Sequence, residues 1–172
     1  FLFSLETHSL NKDLWHPAMH SHHLLEVSYI KSGYGEYCVD DRIYDVQPGD
    51  IFIFNNIEYH ALHVTTSENV VHHVIHFDPN FIWSVESNQF DSNFLKIFFQ
   101  RNLNFQNRLD RDNPISSKIK NIFKEVESEL TEGQPHYQLM VKVHLLNILV
   151  NIARNFNYVN DSIEKCPISK RD

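Results

Sequence analysis

The sequence predicts a mainly β fold followed by two or three α-helices, because its pattern of residues changes near Pro79. Before this proline, short runs of β-branched and aromatic residues alternate with turn-forming residues, which is typical of a small sandwich or barrel. After it, apolar residues recur at helical spacing. The chain has 172 residues, of which 42% are hydrophobic, and this is enough to bury a substantial core.

The strand pattern runs as far as Phe77. Residues 1–16 hold short apolar runs in polar surroundings, and they are predicted to form an N-terminal arm or an edge strand. Turn signals such as Gly33 and the Pro48-Gly49 pair separate the later strands. The remaining strands are predicted at residues 25–31, 36–39, 42–46, 51–54, 59–64 and 69–77.

Helices are predicted after the last strand. The first covers residues 92–101, with Asp91 as its N-cap. The second begins at the pair Asn113 and Pro114, where proline suits the first turn, and it ends at Gly133. Its apolar residues recur at helical spacing and predict one buried stripe. They are Ile115, Ile119, Ile122, Phe123, Val126 and Leu130.

A third helix is predicted over residues 135–156, and it is apolar around so much of its circumference that two sides must be buried. One broad face carries Leu139, Met140, Val143, Leu146, Leu149, Val150, Ala153 and Phe156. Leu145, Ile148 and Ile152 widen the apolar surface, and they are predicted to face a second copy of the chain in a homodimer. The alternative is that the barrel and the second helix cover both faces within one chain.

Composition argues against several kinds of partner and compartment. The formal net charge of −7 argues against nucleic acid or an anionic membrane as a direct partner of this chain. No apolar run approaches the roughly 20 residues of a membrane-spanning helix. Cys38 and Cys166 are far apart in sequence, so a reduced, cytoplasmic setting is expected. Because the chain starts at Phe1 and residues 157–172 are polar, we expect a fragment of a longer protein that ends in a linker.

The chemistry of the chain is concentrated around three polar residues near the first internal strand. His20, His22 and Glu26 lie at even offsets, so in an extended strand their side chains would share one face. His60 comes from a later strand and is predicted to complete the set. Imidazole nitrogens and a carboxylate can surround one divalent cation, which makes these four residues a candidate metal site.

These residues resemble the cupin family. The pattern His20-x-His22-x3-Glu26-x6-Gly33 has the spacing of the first cupin motif, and residues 48–60, which begin Pro-Gly-Asp and end at His60, resemble the second. The family often has proline at the place of Asn55 and glycine at the place of Ile57, so this loop departs from the pattern. The resemblance implies a jelly-roll-like β-barrel.

The order of parts is similar to the N-terminal sensor half of AraC-type transcription regulators, over roughly residues 15–156. This resemblance implies a cupin barrel with an N-terminal arm over residues 1–80, a helical dimerisation region over 81–156 and a linker over 157–172. It also implies a small-molecule effector, frequently a sugar, and DNA binding only through a separate C-terminal helix-turn-helix domain. The landmarks that agree are Gly33-x-Gly35, Pro48-Gly49-Asp50, His60 and Phe77-Asp78-Pro79.

Candidate ligand-binding residues follow from the motifs, from strand parity and from the resemblance. They are His20, His22, Glu26, His60, His72 and Trp15. His72 is preferred over His76, which shares its face but is expected at the rim of the pocket. Trp15 is predicted to cover the pocket or to pack at its mouth. The metal expected for the histidine and glutamate set is Zn, Ni, Mn or Fe, and the alternative is a hydrogen-bonded polar lining without metal.

Two classes of function remain open at this stage. The first is a non-enzymatic sensor and dimerisation module of a transcription regulator, in which an effector shifts the population of two states. The second is a metal-dependent cupin enzyme, such as an isomerase or a dioxygenase. The long apolar third helix and the polar tail favour the first.

Overall fold

The protein is described by a computed structural model that covers residues 2–13, 18–82, 93–101 and 105–155. Its strands form two antiparallel sheets, which confirms the mainly β prediction. In chain order the strands are β1 (Phe3–Leu10), β2 (Leu25–Ser32), β3 (Gly35–Val39), β4 (Arg42–Val46), β5 (Ile51–Phe54), β6 (His60–Val64) and β7 (Val70–Phe77). The bounds of β2 to β7 lie within a residue of the predicted strands, because turn residues mark the ends of these short runs, whereas β1 covers only part of the arm or edge strand predicted over residues 1–16.

Strand order places the N-terminal segment at the margin of the larger sheet. The first sheet has four strands in the order β1-β7-β2-β5, and the second has three in the order β4-β3-β6. The pairing of β1 with β7 runs from Phe3 opposite Phe77 to Leu10 opposite Val70. The N-terminal segment is therefore an edge strand along this stretch.

The first sheet separates two hydrophobic cores, because successive side chains of a strand point to opposite faces. Ile30 and Val70 point toward the second sheet and belong to the core between the sheets. Val27 and Ile75 point the other way and belong to the core shared with the helices. Residues of both sheets line the inner core, so the described strands form a two-layer sandwich in which one end is left for polar side chains.

Four helices and one 3₁₀ turn follow the strands in the part of the chain that the structure describes. The helices are α1 (Pro79–Ile82), α2 (Lys96–Phe99), α3 (Ile115–Glu132) and α4 (Tyr137–Asn155), and the 3₁₀ turn is Asn93–Leu95. The helix predicted at 92–101 is thus a 3₁₀ turn followed by one short helix, and its predicted N-cap, Asp91, lies outside the described residues. None of the described helices is long and apolar enough to span a membrane.

The C-terminal end and the buried stripe of α3 agree with the sequence pattern, whereas the helix begins one residue later than predicted, with Pro114 rather than Asn113 at the N-cap position. Asn113 Oδ1 accepts a hydrogen bond from the Ile115 N–H at 3.1 Å, which satisfies one free donor of the first turn. Gly133 has a φ of 59°, in the left-handed region, and its N–H donates to the Glu129 carbonyl. Four residues of the predicted stripe are buried and the other two are partly buried against the same core.

The predicted division of the α4 surface is wrong. Leu145, Ile148 and Ile152 do not face outward, because all three are fully buried against the first sheet and α3. The exposed apolar side chains belong instead to the face first assigned to the interior, where Leu139 and Val143 lie open to solvent. Helical periodicity shows that two apolar faces exist, but it cannot show which one the rest of the chain covers.

Candidate functional site

The histidine motif does not lie on one continuous strand. Because β2 begins at Leu25, as predicted, His20 and His22 precede the strand, and strand parity does not explain why their side chains lie near Glu26. The His22 Nδ1 lies 2.9 Å from the Leu24 carbonyl, and this local contact bends the chain just before the strand. His20 is held in place by an isolated antiparallel bridge to His60, with backbone hydrogen bonds of 3.1 and 2.9 Å.

The carboxylate of Glu26 nevertheless lies at the centre of a histidine cluster. Glu26 is 3% exposed and projects from β2 toward the second sheet. Its Oε2 is 2.9 Å from the Nε2 of His22, and 3.2 Å from the Nε2 of both His60 and His76. His20 lies beside them, with its ring 4.7 Å from that of His60. The cluster therefore joins the loop before β2 to strands β2, β6 and β7.

The outer nitrogens of these rings are held by backbone carbonyls. The Nδ1 atoms of His20, His22 and His60 lie 3.2, 2.9 and 3.1 Å from carbonyl oxygens two residues away. A carbonyl only accepts, so each Nδ1 carries its proton. In a neutral ring the Nε2 lone pair of His22 or His60 would then face the carboxylate of Glu26, which is unfavourable unless a proton or a cation lies between them.

Hydrogen bonds between the histidines and the Glu26 carboxylate shift the pKa values of the cluster. Burial opposes ionisation of Glu26, but the hydrogen bonds from His22, His60 and His76 outweigh it and hold its pKa well below the ordinary value. The hydrogen bond to Glu26 raises the pKa of His22. Burial, followed by the neighbouring His60, lowers the pKa of His20. The cluster is thus an anion surrounded by rings that differ in their tendency to take up a proton.

The same donor set fits a divalent metal. Two ligands of a tetrahedral metal with bonds of about 2.1 Å lie about 3.4 Å apart, and the contacts of Glu26 with its histidines approach this separation. The ligand atoms of His22, Glu26 and His76 all lie within 4.8 Å of one another. Carbonyl groups on the outer nitrogens also orient the rings as they do in known metal sites. The close group differs from the set expected from the motif, because His76 joins it.

A cavity of about 180 Å³ opens beside the cluster, between the two sheets. Its described lining includes His20, Glu26, His60, His72, His76 and Tyr37. The aliphatic side chains of Leu62 and Val74 complete the wall. The cavity therefore combines apolar walls with several hydrogen-bonding groups, which is the usual composition of a ligand site.

His72 and His76 have different surroundings from those expected. His72 is buried, with its Nδ1 3.2 Å from the Ser28 hydroxyl, whereas His76 contacts Glu26. Both line the cavity, so the ranking of His72 above His76 for ligand contact stays a prediction. Trp15 lies outside the described residues.

Sequence reasoning also missed Tyr37 and His8 as lining residues. The Tyr37 hydroxyl donates to Ser28 Oγ at 3.4 Å, and burial raises the Tyr37 pKa well above its ordinary value, so it remains a neutral donor. His8 lies on β1, and its ring is 5.3 Å from that of His72. Strand alternation gives the parity of Tyr37, but only the pairing of β1 with β7 brings His8 to the cavity.

His72 should make the protein sensitive to acid. Burial lowers its pKa from 6.5 to about 4, so between these values the unfolded chain binds a proton that the folded chain does not. The contribution of neutral His72 to the free energy of unfolding is therefore complete above pH 6.5, the pKa in the unfolded chain. It is lost as the pH falls toward and through the folded pKa of about 4. When the pH is lowered from 7.5 to 5, the free energy of unfolding should fall in both proteins. The fall should be about 2 kcal/mol smaller in His72→Gln than in the wild type, because glutamine does not titrate.

Urea unfolding at both pH values, with a chelator present, measures this difference. His23→Gln is the matched control, because His23 is an exposed histidine outside the cavity. An unchanged acid dependence in His72→Gln would show that another group is responsible.

Comparison with known proteins gives a match over most of the chain. The family model for the AraC-like ligand binding domain matches residues 2–149. A search of curated proteins gave no match.

Among solved structures, ToxT from Vibrio cholerae O395, bound to (E)-4-(8-methylnaphthalen-1-yl)but-3-enoic acid, has a TM-score of 0.59 at 16% identity; the match covers 95% of this chain and 62% of ToxT. A cupin protein from Bacteroides fragilis has a TM-score of 0.44 at 18% identity, covering 53% of this chain and 75% of that one. A cupin 2 conserved barrel protein from Rhodopseudomonas palustris has a TM-score of 0.41 at 14% identity, covering 45% and 52%.

The fold, with two antiparallel sheets and C-terminal helices, is similar to that of the matched part of ToxT. The family match spans both sheets, the histidine cluster and most of α4. It agrees with the resemblance seen in the two motifs and in the order of the parts. On this basis the chain belongs to the family of AraC-like ligand-binding domains.

Proposed function

We propose that this chain is the ligand-sensing and dimerisation domain of an AraC-type transcription regulator, and that a small effector binds in the cavity between the sheets. The observation that carries the proposal is a cavity with apolar walls and several hydrogen-bonding side chains, inside the part of the chain that matches the ligand-binding family. The full-length protein would act in the cytoplasm, and it would bind DNA through a helix-turn-helix domain C-terminal to this one.

The lining of the cavity suits a polyhydroxyl effector, with a sugar as the leading class. Glu26 can accept hydrogen bonds from hydroxyl groups, the Tyr37 oxygen can accept one while its proton is donated to Ser28, and the rings of His20 and His72 can donate or accept. Val74 provides an apolar surface for the carbon skeleton. Since about 180 Å³ lies below the 300–1,000 Å³ of common ligand pockets, the effector would be a small molecule.

An effector in this cavity would contact strands that also support the helices. His8 comes from β1, and His72 and His76 come from β7, so one ligand would join the edge strand to the centre of the sheet. The opposite face of β7 packs against the helices through Ile75 and Phe77. A ligand that binds two arrangements of this sheet unequally would shift their populations and thereby change the position of the helices.

We further propose that His22, Glu26 and His76 hold a divalent metal (Zn, Ni, Mn or Fe), with His60 and His20 beside them. A bound metal would supply a Lewis-acidic centre for oxygen atoms of a ligand. The residues themselves bring the negative charge of Glu26 and the fixed ring orientations that favour a cation.

The same cluster favours one alternative, a metal-dependent cupin enzyme such as an isomerase or a dioxygenase. The observation behind it is the group of potential metal-ligand atoms around Glu26. Its histidine and glutamate ligands resemble those of a catalytic metal site as closely as those of a structural metal site. Incubation with each metal and a panel of sugars, followed by chromatography, separates the two functions. A regulator returns its effector unchanged, whereas accumulation of a product would favour the enzyme.

We propose that the domain forms a homodimer through the exposed apolar face of α4. Leu139, Met140 and Val143 are exposed, and Leu146 and Val150 are partly exposed. Leu139, Val143, Leu146 and Val150 alternate steps of four and three residues, which is the spacing of a helix pair that packs along a seam. A large exposed apolar stripe on a soluble domain usually marks an interface.

Replacing His60 should weaken effector binding. In His60→Gln the ring that lines the cavity and contacts Glu26 is lost, so the affinity for the binding sugar should fall at least tenfold. Calorimetry with a panel of sugars, and with the butenoic acid found in ToxT as a non-sugar member, measures this change. His63→Gln is the matched control, because His63 lies on the same strand with opposite parity. Equal loss in both variants, or none in His60→Gln, would place the effector site elsewhere.

A further inference from the structure

A second and larger cavity lies on the other side of the first sheet, beneath α3. Its volume is about 500 Å³, which falls within the range of small-molecule sites, whereas the cavity between the sheets is about 180 Å³. The described residues that line it come from β2, β7 and α3. They are Tyr29, Lys31, His73, Lys120, Phe123, Lys124 and Glu127.

The floor of this outer cavity is aromatic. Tyr29, His73 and Phe123 are all at least nine-tenths buried. The rings of Tyr29 and His73 are stacked, with centroids 6.2 Å apart and planes 16° apart, and the ring of Phe123 lies 5.6 Å from that of Tyr29. Because these rings pack on one another and are nearly buried, the floor offers a ligand ring edges rather than open ring faces.

Two polar atoms of this floor have no hydrogen-bond partner among the described residues. They are the hydroxyl of Tyr29 and the Nε2 of His73, whose Nδ1 lies 3.0 Å from Thr7 Oγ1. Among the described residues, the fully buried side-chain atoms without a partner belong to Arg101, so the hydroxyl and Nε2 reach solvent. Both atoms are therefore open to hydrogen bonds from a ligand in the cavity.

The rim of the outer cavity is positively charged. Lys31, Lys120 and Lys124 line it, and Glu127 is the acidic residue among the described lining. Within the parts of the chain that the structure describes, these lysines form no ion pair with a carboxylate. Because the whole chain has a net charge of −7, a local excess of unpaired ammonium groups stands out. Such a rim attracts anions, and each ammonium group can donate up to three hydrogen bonds.

We infer that the outer cavity binds a small aromatic anion, an organic carboxylate or phosphate with a planar ring. The ring would lie against the accessible edges of Tyr29 and Phe123, and the anionic group would contact the lysines at the rim. The Tyr29 hydroxyl would donate to the anion, and Nε2 of His73 would complete a polar contact. A ligand held in this way would join the sheet to α3, which packs against the α4 helix proposed to dimerise.

Calorimetry at low salt with benzoate, phenyl phosphate and benzyl alcohol tests the inference directly. Both anions, or one of them, should bind, and neutral benzyl alcohol should not. The tighter of the two anions identifies whether the site prefers a carboxylate or a phosphate. In the double variant Lys120→Glu/Lys124→Glu the affinity for the anion should fall at least tenfold, because two positive charges at the rim become negative. The variant should still fold, because both side chains are exposed. Lys12→Glu, an equal change at an exposed lysine away from the cavity, should bind normally.

Two further variants separate this site from the cavity between the sheets. Tyr29→Phe keeps the stacked ring and removes only the hydroxyl, so it should weaken binding without changing the circular dichroism spectrum. His60→Gln should leave anion binding unchanged, which makes this experiment independent of the effector test.

The inference would be overturned by any of four results. These are no binding of either aromatic anion at millimolar concentration, equal binding of benzyl alcohol, an unaffected double variant, and loss of anion binding in His60→Gln. Inorganic phosphate serves as the last comparison, because equal affinity for it and for phenyl phosphate would show that the aromatic floor is not used.

Discussion

Glu26→Gln should lower the free energy of unfolding by about 3 kcal/mol and remove any stabilisation of the protein by added Zn²⁺. Glu26 is almost fully buried, and one of its oxygens contacts His22, His60 and His76. An amide has nearly the same shape, but it carries no charge, so its oxygen accepts weaker hydrogen bonds from these rings than the carboxylate does. The variant would leave the histidine cluster without the anion that organises it.

The depressed pKa of Glu26 gives this prediction a pH dependence. The carboxylate contributes its stabilisation above the pKa of the unfolded chain, near 4.5, and this contribution is lost as the pH falls through the lower folded pKa. The difference between the wild type and Glu26→Gln should therefore be present at neutral pH and shrink in strong acid.

Urea unfolding at neutral pH, first with a chelator and then with increasing Zn²⁺, measures both effects. Glu36→Gln is the control, because Glu36 is an exposed glutamate on β3. Zn²⁺ should raise the unfolding midpoint of the wild type and of Glu36→Gln by mass action, but not that of Glu26→Gln. The metal proposal would be falsified if Zn²⁺ stabilised all three proteins equally.

Leu145→Asp should unfold the domain, whereas Val143→Asp should leave it folded and separate the dimer. Leu145 is 0% exposed and packs in the core shared by the helices and the first sheet. A buried, unpaired carboxylate together with the lost packing should cost more than about 4 kcal/mol. Val143 is 48% exposed, so the same new charge meets solvent in the monomer and an apolar partner only in the dimer.

Light scattering across a dilution series, combined with circular dichroism, distinguishes these outcomes. The wild type should show the mass of a dimer at high micromolar concentration, and Val143→Asp should show that of a folded monomer. A wild type that stays monomeric over the whole series would reject the proposed interface. Unfolding of Val143→Asp would instead assign this face of α4 to the core of the monomer.

The histidine cluster shows where reading the sequence succeeds and where it fails. The motif spacing selected His22, Glu26 and His60, which the structure brings together. The strand-parity argument does not explain the position of His22, because this residue precedes β2 and its ring is held by the Leu24 carbonyl. His76 was not selected as a partner of Glu26, because parity alone does not show which residue lies opposite Glu26.

By itself, the sequence determined the positions of the strands, the stripe and ends of α3, and the two-motif resemblance. These depend on neighbouring residues: side-chain alternation, turn formers and helix caps act within a few positions. Only the tertiary structure decided that His76 lies opposite Glu26 and that α4 buries Leu145 rather than Val143. The first depends on the register between strands far apart in the chain, where a slip of one residue reverses every side chain. The second depends on which of two apolar faces meets the sheet, and helical periodicity is the same for both.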